Sequence, residues 1–177
     1  MKTNIILFLI CLTIFTALKL AFPYLETDAL RFLLAPTNKI IEFIFGSTAT
    51  YNSETGYFHP YLNMVINKSC SGLNFYLISF LMYSYLIIKL GLTKKWLSIP
   101  SALVLAYITT ILANVSRIAG YVIIMNTESS LFSLSEMSWL HQAEGIFVYL
   151  AFLILAYITF NYITNKIERT HEKATQS

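Results

Sequence analysis

Three side chains that can do chemistry stand at the ends of long apolar segments. Cys70 lies in NKSCSGLNF, Arg117 in ANVSRIAGY and His141 in WLHQAEGIF. Ionisable groups are rare inside a bilayer, so each of them is by default a hypothesis about function. A thiol beside a proton carrier and a permanent cation can attack a carbonyl carbon. The three residues together predict a thiol enzyme whose site is built from helix ends.

Each residue has a role in such a reaction. The thiolate is the nucleophile, and Cys70 comes just before an apolar run, where a helix N-terminus would favour the anion. The imidazole of His141 titrates near neutral pH and can carry a proton, while Arg117 can stabilise an oxyanion. Asn114 and Glu144 each stand three residues from one of these groups. They therefore share a helix face with Arg117 and His141 and can orient them or the substrate.

Taken singly, the same residues also fit structural roles. A lone cysteine in a membrane protein is more often a small buried hydrophobe, and Cys11 in the first apolar run is interpreted that way. Arg117 can extend to the headgroups, and His141 with Glu144 can cap a helix at the interface. A metal site of His59, His141 and Glu144 has no supporting ligand spacing. No metal and no other cofactor is therefore expected.

The composition places the chain in a membrane. Of its 177 residues, 56% are hydrophobic and 12% are charged, and the mean hydropathy is +0.63. Soluble domains carry about 25% charged residues. The net charge of +3 is small and the basic residues form no stripe, so no nucleic-acid partner is expected. The predicted fold class is all-α, a polytopic helical bundle in the lipid bilayer that forms one domain over residues 1–177.

Four apolar runs approach the length of about 20 residues that a spanning helix needs. The predicted spans are 5–22, 72–90, 96–113 and 145–163. The first run also fits the apolar core of a signal peptide, an alternative that leaves the position of Cys70 unchanged.

The remaining segments are predicted to lie outside these spans. Residues 27–45 mix apolar and charged side chains around Pro36, which predicts a broken amphipathic helix, either interfacial or shallowly re-entrant. Residues 47–60 are polar and rich in turn formers, which predicts a loop. Residues 118–125 either extend the third helix or fold back toward the membrane.

Lysine and arginine in the short connections predict the orientation. They favour a cytoplasmic N-terminus, 90–95 turn and C-terminus in a multi-pass protein of the plasma (inner) membrane. At about 1.5 Å of rise per residue, Cys70, Arg117 and His141 lie about 28, 33 and 37 Å from a lysine at the cytoplasmic end of their own segment. These lysines are Lys89, Lys95 and Lys166. The hydrocarbon core is about 30 Å thick, so all three residues are expected at one depth near the extracytoplasmic boundary.

The motifs carry a family resemblance over about residues 67–150. SCSG before an apolar helix, N-x-x-R closing another and H-x-x-E-G opening the last resemble the exosortase/archaeosortase family, in a minimal form similar to the exosortase K type. Members are multipass membrane cysteine transpeptidases. The resemblance implies that Cys70, Arg117 and His141 are catalytic and that Asn114 and Gly72 support them.

The resemblance also implies a reaction and its partners. Cys70 would attack the scissile carbonyl of an exported protein whose C-terminus carries a short motif, a transmembrane helix and a basic tail. The thioester would then pass to an acceptor at the cell surface. Two alternatives stay open: a membrane protease with water as the acceptor, and a non-catalytic scaffold or transporter subunit.

Overall fold

The protein is a bundle of long helices with a small sheet at one end. The computed structural model describes residues 2–91, 94–128 and 134–175, with side chains for 4–91, 94, 96–125 and 145–166. The helices are α1 (Lys2–Ala21), α2 (Arg31–Phe45), α3 (Leu73–Leu90), α4 (Ser98–Glu128) and α5 (Leu134–Thr175). Short 3-10 turns cover Phe22–Tyr24, Asp28–Leu30, Lys68–Cys70 and Lys95–Leu97.

Four segments are long and apolar enough to cross a membrane. They are Asn4–Tyr24, Lys68–Leu90, Ser98–Met125 and Gly145–Lys166. The expected all-α polytopic membrane fold is thereby confirmed. The third apolar helix, α4, is longer than the predicted span 96–113, because it continues without interruption to Glu128. Residues 118–125, which the sequence left open, are therefore helical.

The prediction that Pro36 breaks the second helix is wrong. α2 runs unbroken from Arg31 to Phe45 with Pro36 inside it. Proline has no N–H, so the carbonyl of Phe32 four residues earlier loses its helical partner. The hydroxyl of Tyr107 on α4 donates to that carbonyl at 2.9 Å. The helix survives because a side chain of its neighbour replaces the missing bond.

α2 packs against the bundle through one buried face. Its buried residues Leu33, Leu34 and Ile41 form one face, and α2 packs against α4. Its partner Tyr107 lies well inside the apolar segment Ser98–Met125. The N-terminal part of α2 therefore contacts the apolar segment of α4.

Residues 47–60 do not form the predicted loop. An antiparallel sheet of order β1-β2-β3 contains β1 (Thr50–Asn52), β2 (Gly56–His59) and β3 (Met64–Ile66). The strands have three or four residues each, too few for their alternation to stand out in a polar stretch. The helical fold class is unaffected, because the sheet is an addition outside the four apolar segments.

Two buried clusters hold the helices together. The first joins α2 and the sheet to α3 and α4 through Leu33, Leu34, Ile66, Leu73, Leu77 and Ile118. The second lies further along the bundle and contains Cys11, Phe80, Tyr83, Ile87, Ala102 and Ala106. The alanines of α4 permit close approach of α3, as small residues do between membrane helices. The first cluster fixes the start of α3, and with it the segment that carries Cys70.

Candidate active site

Cys70 ends a 3-10 turn that Asn67 caps. The side-chain oxygen of Asn67 accepts hydrogen bonds from the Ser69 N–H at 3.0 Å and from the Ser69 hydroxyl at 2.6 Å. The Cys70 N–H donates to the Asn67 carbonyl at 2.9 Å. The thiol is free, half-buried and 3.9 Å from the Ser69 hydroxyl. Cys70 therefore has a fixed main chain and an accessible sulfur.

The expectation that Cys70 starts the following helix needs correction. α3 begins at Leu73, and Gly72 before it has a left-handed conformation with φ of +69°. This reversal separates the cysteine turn from the helix. Cys70 lies three residues ahead of α3 rather than in its first turn.

Lys68 and Lys19 fasten this region to the end of α1. The Lys68 ammonium donates to the main-chain carbonyls of Pro23 at 3.0 Å and Leu25 at 2.6 Å. The Lys19 ammonium donates to the Asn74 side chain at 2.6 Å. Both cations are engaged in holding the cysteine turn and the start of α3 in place.

Gly72 and Asn114 are in direct contact. A Cβ on Gly72 would lie 2.5 Å from the side-chain oxygen of Asn114, which is closer than real Cβ contacts. Asn114 is fully buried, and its Nδ2 donates to the Ser71 carbonyl at 2.8 Å. Glycine is required at position 72 by both its conformation and this approach. Asn114 thus binds the main chain of the cysteine segment, where the sequence left open whether it orients Arg117 or the substrate.

Tyr149 on α5 completes this connection and was missed in the sequence. Its hydroxyl donates to the Asn114 Oδ1 at 2.6 Å. Its ring stacks on Phe75 with centroids 4.6 Å apart. The chain of bonds from Tyr149 through Asn114 to Ser71 joins α5 and α4 to the cysteine segment. Nothing local distinguishes Tyr149 among the twelve tyrosines of the sequence, so only the tertiary structure reveals it.

Arg117 is buried with part of its guanidinium unpaired. The side chain is 8% exposed, and its guanidinium carbon lies 5.3 Å from the ring centroid of Tyr149. Among the described residues, Nε and Nη2 have no hydrogen-bond partner. An unpaired buried charged donor is costly, so this arrangement suits a site that receives an anion. The ring of Tyr149 faces Arg117, and its hydroxyl bonds to Asn114, which binds the Ser71 carbonyl next to Cys70. Arg117 and the cysteine segment are therefore connected through Tyr149 and Asn114.

His141 and Glu144 fall in the main chain of α5, but their side chains lie outside those that the structure describes. The next residue, Gly145, is buried against Arg117, because a Cβ there would be 3.3 Å from the Arg117 Cδ. His141 precedes Gly145 by four residues, which is about one helical turn. The main chain at His141 is thus about 6 Å along the helix from the Arg117 contact.

A cavity of about 320 Å³ opens beside Cys70. Its walls come from the cysteine turn, from β3 and from the C-terminal part of α4. Representative lining residues are Asn67, Ser69, Met64, Val65, Ile118 and Val122. The part of α4 that the sequence left open, residues 118–125, supplies one wall. Cys70 itself is one of the lining residues.

His59 serves the fold rather than this site. It is fully buried, with Nε2 2.8 Å from the Asn38 Oδ1 and Nδ1 3.0 Å from the Ser47 hydroxyl. Because the amide oxygen can only accept, Nε2 carries the proton and Nδ1 accepts from Ser47. Burial lowers the pKa of His59 below its usual value, and the charge of Glu42 opposes that shift. With both ring nitrogens engaged, His59 cannot join a metal site without breaking this network.

The model of a family described as transmembrane exosortase matches residues 3–158. No curated protein and no solved structure gives a significant match.

Proposed function

The chain belongs to the transmembrane exosortase family, and we propose that it cleaves the C-terminal sorting signals of exported proteins through a thioester on Cys70. Family membership supports a membrane transpeptidase or protease in general. The observation that carries the cysteine mechanism is a half-buried thiol that lines a cavity and is held, through the bond between Ser71 and Asn114, to the helix that carries a buried guanidinium. Two of the guanidinium donors have no partner among the described residues.

In the proposed reaction, the Cys70 sulfur bonds to the scissile carbonyl carbon and a tetrahedral oxyanion forms. Arg117 stabilises this oxyanion, since its donors act most strongly where water is excluded. The carbon–nitrogen bond then breaks as His141 protonates the leaving amine. An acceptor nucleophile then attacks the thioester and gives its proton to His141, the carbon–sulfur bond breaks, and the thiolate and the protonated imidazole are restored.

The remaining groups position these three. Asn114 holds the Ser71 carbonyl, and Gly72 permits that approach. Tyr149 fixes Asn114 through its hydroxyl and faces Arg117 with its ring. We assign Glu144 to orienting His141, on the basis of their spacing in the sequence.

The proposed substrate class rests on the family to which the chain belongs. A membrane-embedded exosortase acts on exported proteins. We propose that each substrate carries a short motif, a transmembrane helix and a basic tail. Residues 1–177 act as one integral-membrane domain, with both termini in the cytoplasm and the site at the extracytoplasmic face. The acceptor is a group at the cell surface.

The test compares cells that carry the wild type, Cys70→Ala or Cys11→Ala. Cys11 is a matched control, because it is fully buried in the second cluster. Mass spectrometry of protein C-termini should reveal precursors that lose a helix and basic tail in the wild type and in Cys11→Ala. The same precursors should stay intact in Cys70→Ala. Normal processing by Cys70→Ala would reject the thiol mechanism and favour a scaffold.

A second measurement identifies the acceptor. The new C-terminus of each product is weighed together with any group attached to it. An added amine or hydroxyl compound establishes transfer. A free carboxylate on every product would establish a protease that uses water.

A further inference from the structure

The strand nearest to Cys70 has one free edge. β3 is the last strand of the sheet, and within the described part of the chain only β2 pairs with it. The chain continues from Ile66 through the capped turn to Cys70, and Val65 and Cys70 line the same cavity. A free edge offers main-chain donors and acceptors to another extended chain. Here that edge lies next to a nucleophile.

Gly56 shows which main-chain groups of β3 are free. In an antiparallel pair, successive residues direct N–H and C=O alternately toward the partner strand and away from it. The Ile66 carbonyl is directed toward β2, because a Cβ added to Gly56 would collide with its oxygen. Val65 therefore directs its N–H and C=O to the free edge. No hydrogen bond from the rest of the described chain reaches these two groups.

We propose that the substrate binds as a fourth strand on the free edge of β3, pairing with the main chain of Val65 so that its scissile carbonyl reaches Cys70. This inference rests on the proposed function. It adds that the residues before the scissile bond are recognised in an extended conformation, mainly through their main chain. Such strand addition gives affinity from main-chain bonds and specificity from alternate side chains.

The direction of the bound strand follows from the topology of this chain. β3 leads into the cysteine turn, and α3 then enters the apolar segment Lys68–Leu90. The proposed substrate has the same order, namely a motif, a cleavage point and a transmembrane helix. A substrate parallel to β3 would run beside these elements in register with them. An antiparallel strand would direct the substrate's helix away from the bundle.

The cavity walls also fit an extended peptide. Alternate side chains of a strand point to opposite faces. On one face the peptide would meet Ile118 and Val122 of α4, which are apolar and buried. On the other it would lie toward the exposed side of Val65. We therefore expect an apolar preference at alternate substrate positions only.

The test replaces Val65 by proline and by threonine. Proline removes the outward N–H and is tolerated on an edge strand whose N–H makes no bond within the sheet, whereas threonine keeps the N–H and a branched side chain. The probe is a precursor whose cleavage by the purified full-length protein depends on Cys70. We expect Val65→Pro to raise KM by about fivefold to tenfold with little change in kcat. Val65→Thr retains the N–H, so its KM should rise less than that of Val65→Pro.

A second measurement separates a lost bond from a distorted strand. Precursor peptides with one N-methylated residue are compared at each position before the cleavage point. At the position whose N–H donates to the Val65 carbonyl, methylation should weaken binding to the wild type, and methylation at the other positions should have little effect. Equal KM values for the proline and threonine variants, with Cys70-dependent cleavage intact, would reject the strand pairing alone. Cleavage that persists in Cys70→Ala would reject the proposed function, and the pairing with it.

Discussion

Asn114 donates a hydrogen bond to the main-chain carbonyl of Ser71, the residue after Cys70, at a distance of 2.8 Å. The bond connects the middle of the third apolar segment to the cysteine turn. Because Asn114 is fully buried and lies three residues before Arg117, it sets where the thiol stands relative to the guanidinium. The first predictions concern this connection.

Replacing Asn114 by aspartate should impair both folding and cleavage. The carboxylate keeps the size of the side chain but cannot donate to Ser71, so a buried carbonyl loses its partner. Such a loss costs about 1–3 kcal/mol. Denaturant unfolding of the solubilised protein measures the stability change, and kcat/KM for precursor cleavage measures the effect on the site. An Asn114→Asp protein with unchanged kcat/KM would show that this bond does not position Cys70.

Gly72→Ala should be more damaging than a glycine-to-alanine change in a helix. Alanine in a left-handed conformation costs about 1–2 kcal/mol, and its methyl group would collide with Asn114. Combining Gly72→Ala with Asn114→Ala should relieve the collision. The double variant should therefore lose less unfolding free energy than the sum of the losses in the two single variants. Additive free energies of unfolding would contradict the contact.

Tyr149→Phe should cost about 1 kcal/mol, a typical value for one hydrogen bond. The ring contacts with Phe75 and Arg117 remain, while the bond to Asn114 is lost. We expect kcat to fall more than KM rises, because the reacting groups lose their alignment. Tyr162→Phe on the same helix is the control, since Tyr162 is 67% exposed. Equal kcat values for the two variants would show that the Tyr149 hydroxyl does not help to align the reacting groups.

Arg117→Lys should reduce kcat/KM by about 100-fold to 1,000-fold, the usual effect of losing an oxyanion donor. Lysine keeps the charge but lacks the planar set of donors. Arg31→Lys, on the exposed start of α2, should leave cleavage unchanged. A fully active Arg117→Lys enzyme would show that Arg117 contributes only its positive charge and not its planar set of donors.

His59 should make the stability of the protein depend on pH. Burial lowers the pKa of His59 from the ordinary value of 6.5, so below pH 6.5 the unfolded chain binds a proton that the folded chain resists. The stabilisation is complete above about pH 6.5 and is lost as pH falls toward the lower folded pKa. Unfolding at about pH 7.5 and pH 5.5 should differ more for the wild type than for His59→Gln.

Glu42 provides a second check on this network. Its charge raises the pKa of His59, and its carboxylate also accepts from the Ala49 N–H at 2.9 Å. Glu42→Gln retains an acceptor but removes the charge. The pKa of His59 should then fall further, and the pH dependence of unfolding should become steeper. An unchanged pH dependence in both variants would show that His59 does not titrate in this range.

Membrane-spanning segments were predictable because a bilayer requires long apolar runs, and the four runs of the sequence correspond to four apolar helices. The continuation of α4 past Ala113 was not, because the polar residues Asn114, Ser116 and Arg117 interrupt the apolar run while the helix persists. Hydropathy reports the solvent around a helix and not its length. The wall of the cavity beside Cys70 lies in that unpredicted part.

The chemical types of the site residues were easier to predict from the sequence than the contacts that these residues make. Cys70, Arg117 and Asn114 were picked out because polar groups are conspicuous among apolar ones. The hydroxyl of Tyr149 and the free edge of β3 were not, because a tyrosine is common in membrane helices and a three-residue strand has little pattern. Both depend on residues far apart in the sequence, as in the 35-residue separation of Tyr149 and Asn114.

Because of the bond from the Tyr107 hydroxyl to the Phe32 carbonyl, the substitutions tolerated at position 107 depend on the residue at position 36. While proline stands at position 36, loss of the Tyr107 hydroxyl leaves a carbonyl without a partner in an apolar setting. Once position 36 regains an N–H, the hydroxyl becomes dispensable. Whether a substitution at one of these positions is tolerated therefore depends on the residue at the other. We expect related chains to keep the proline and the hydroxyl together or to lose the proline first.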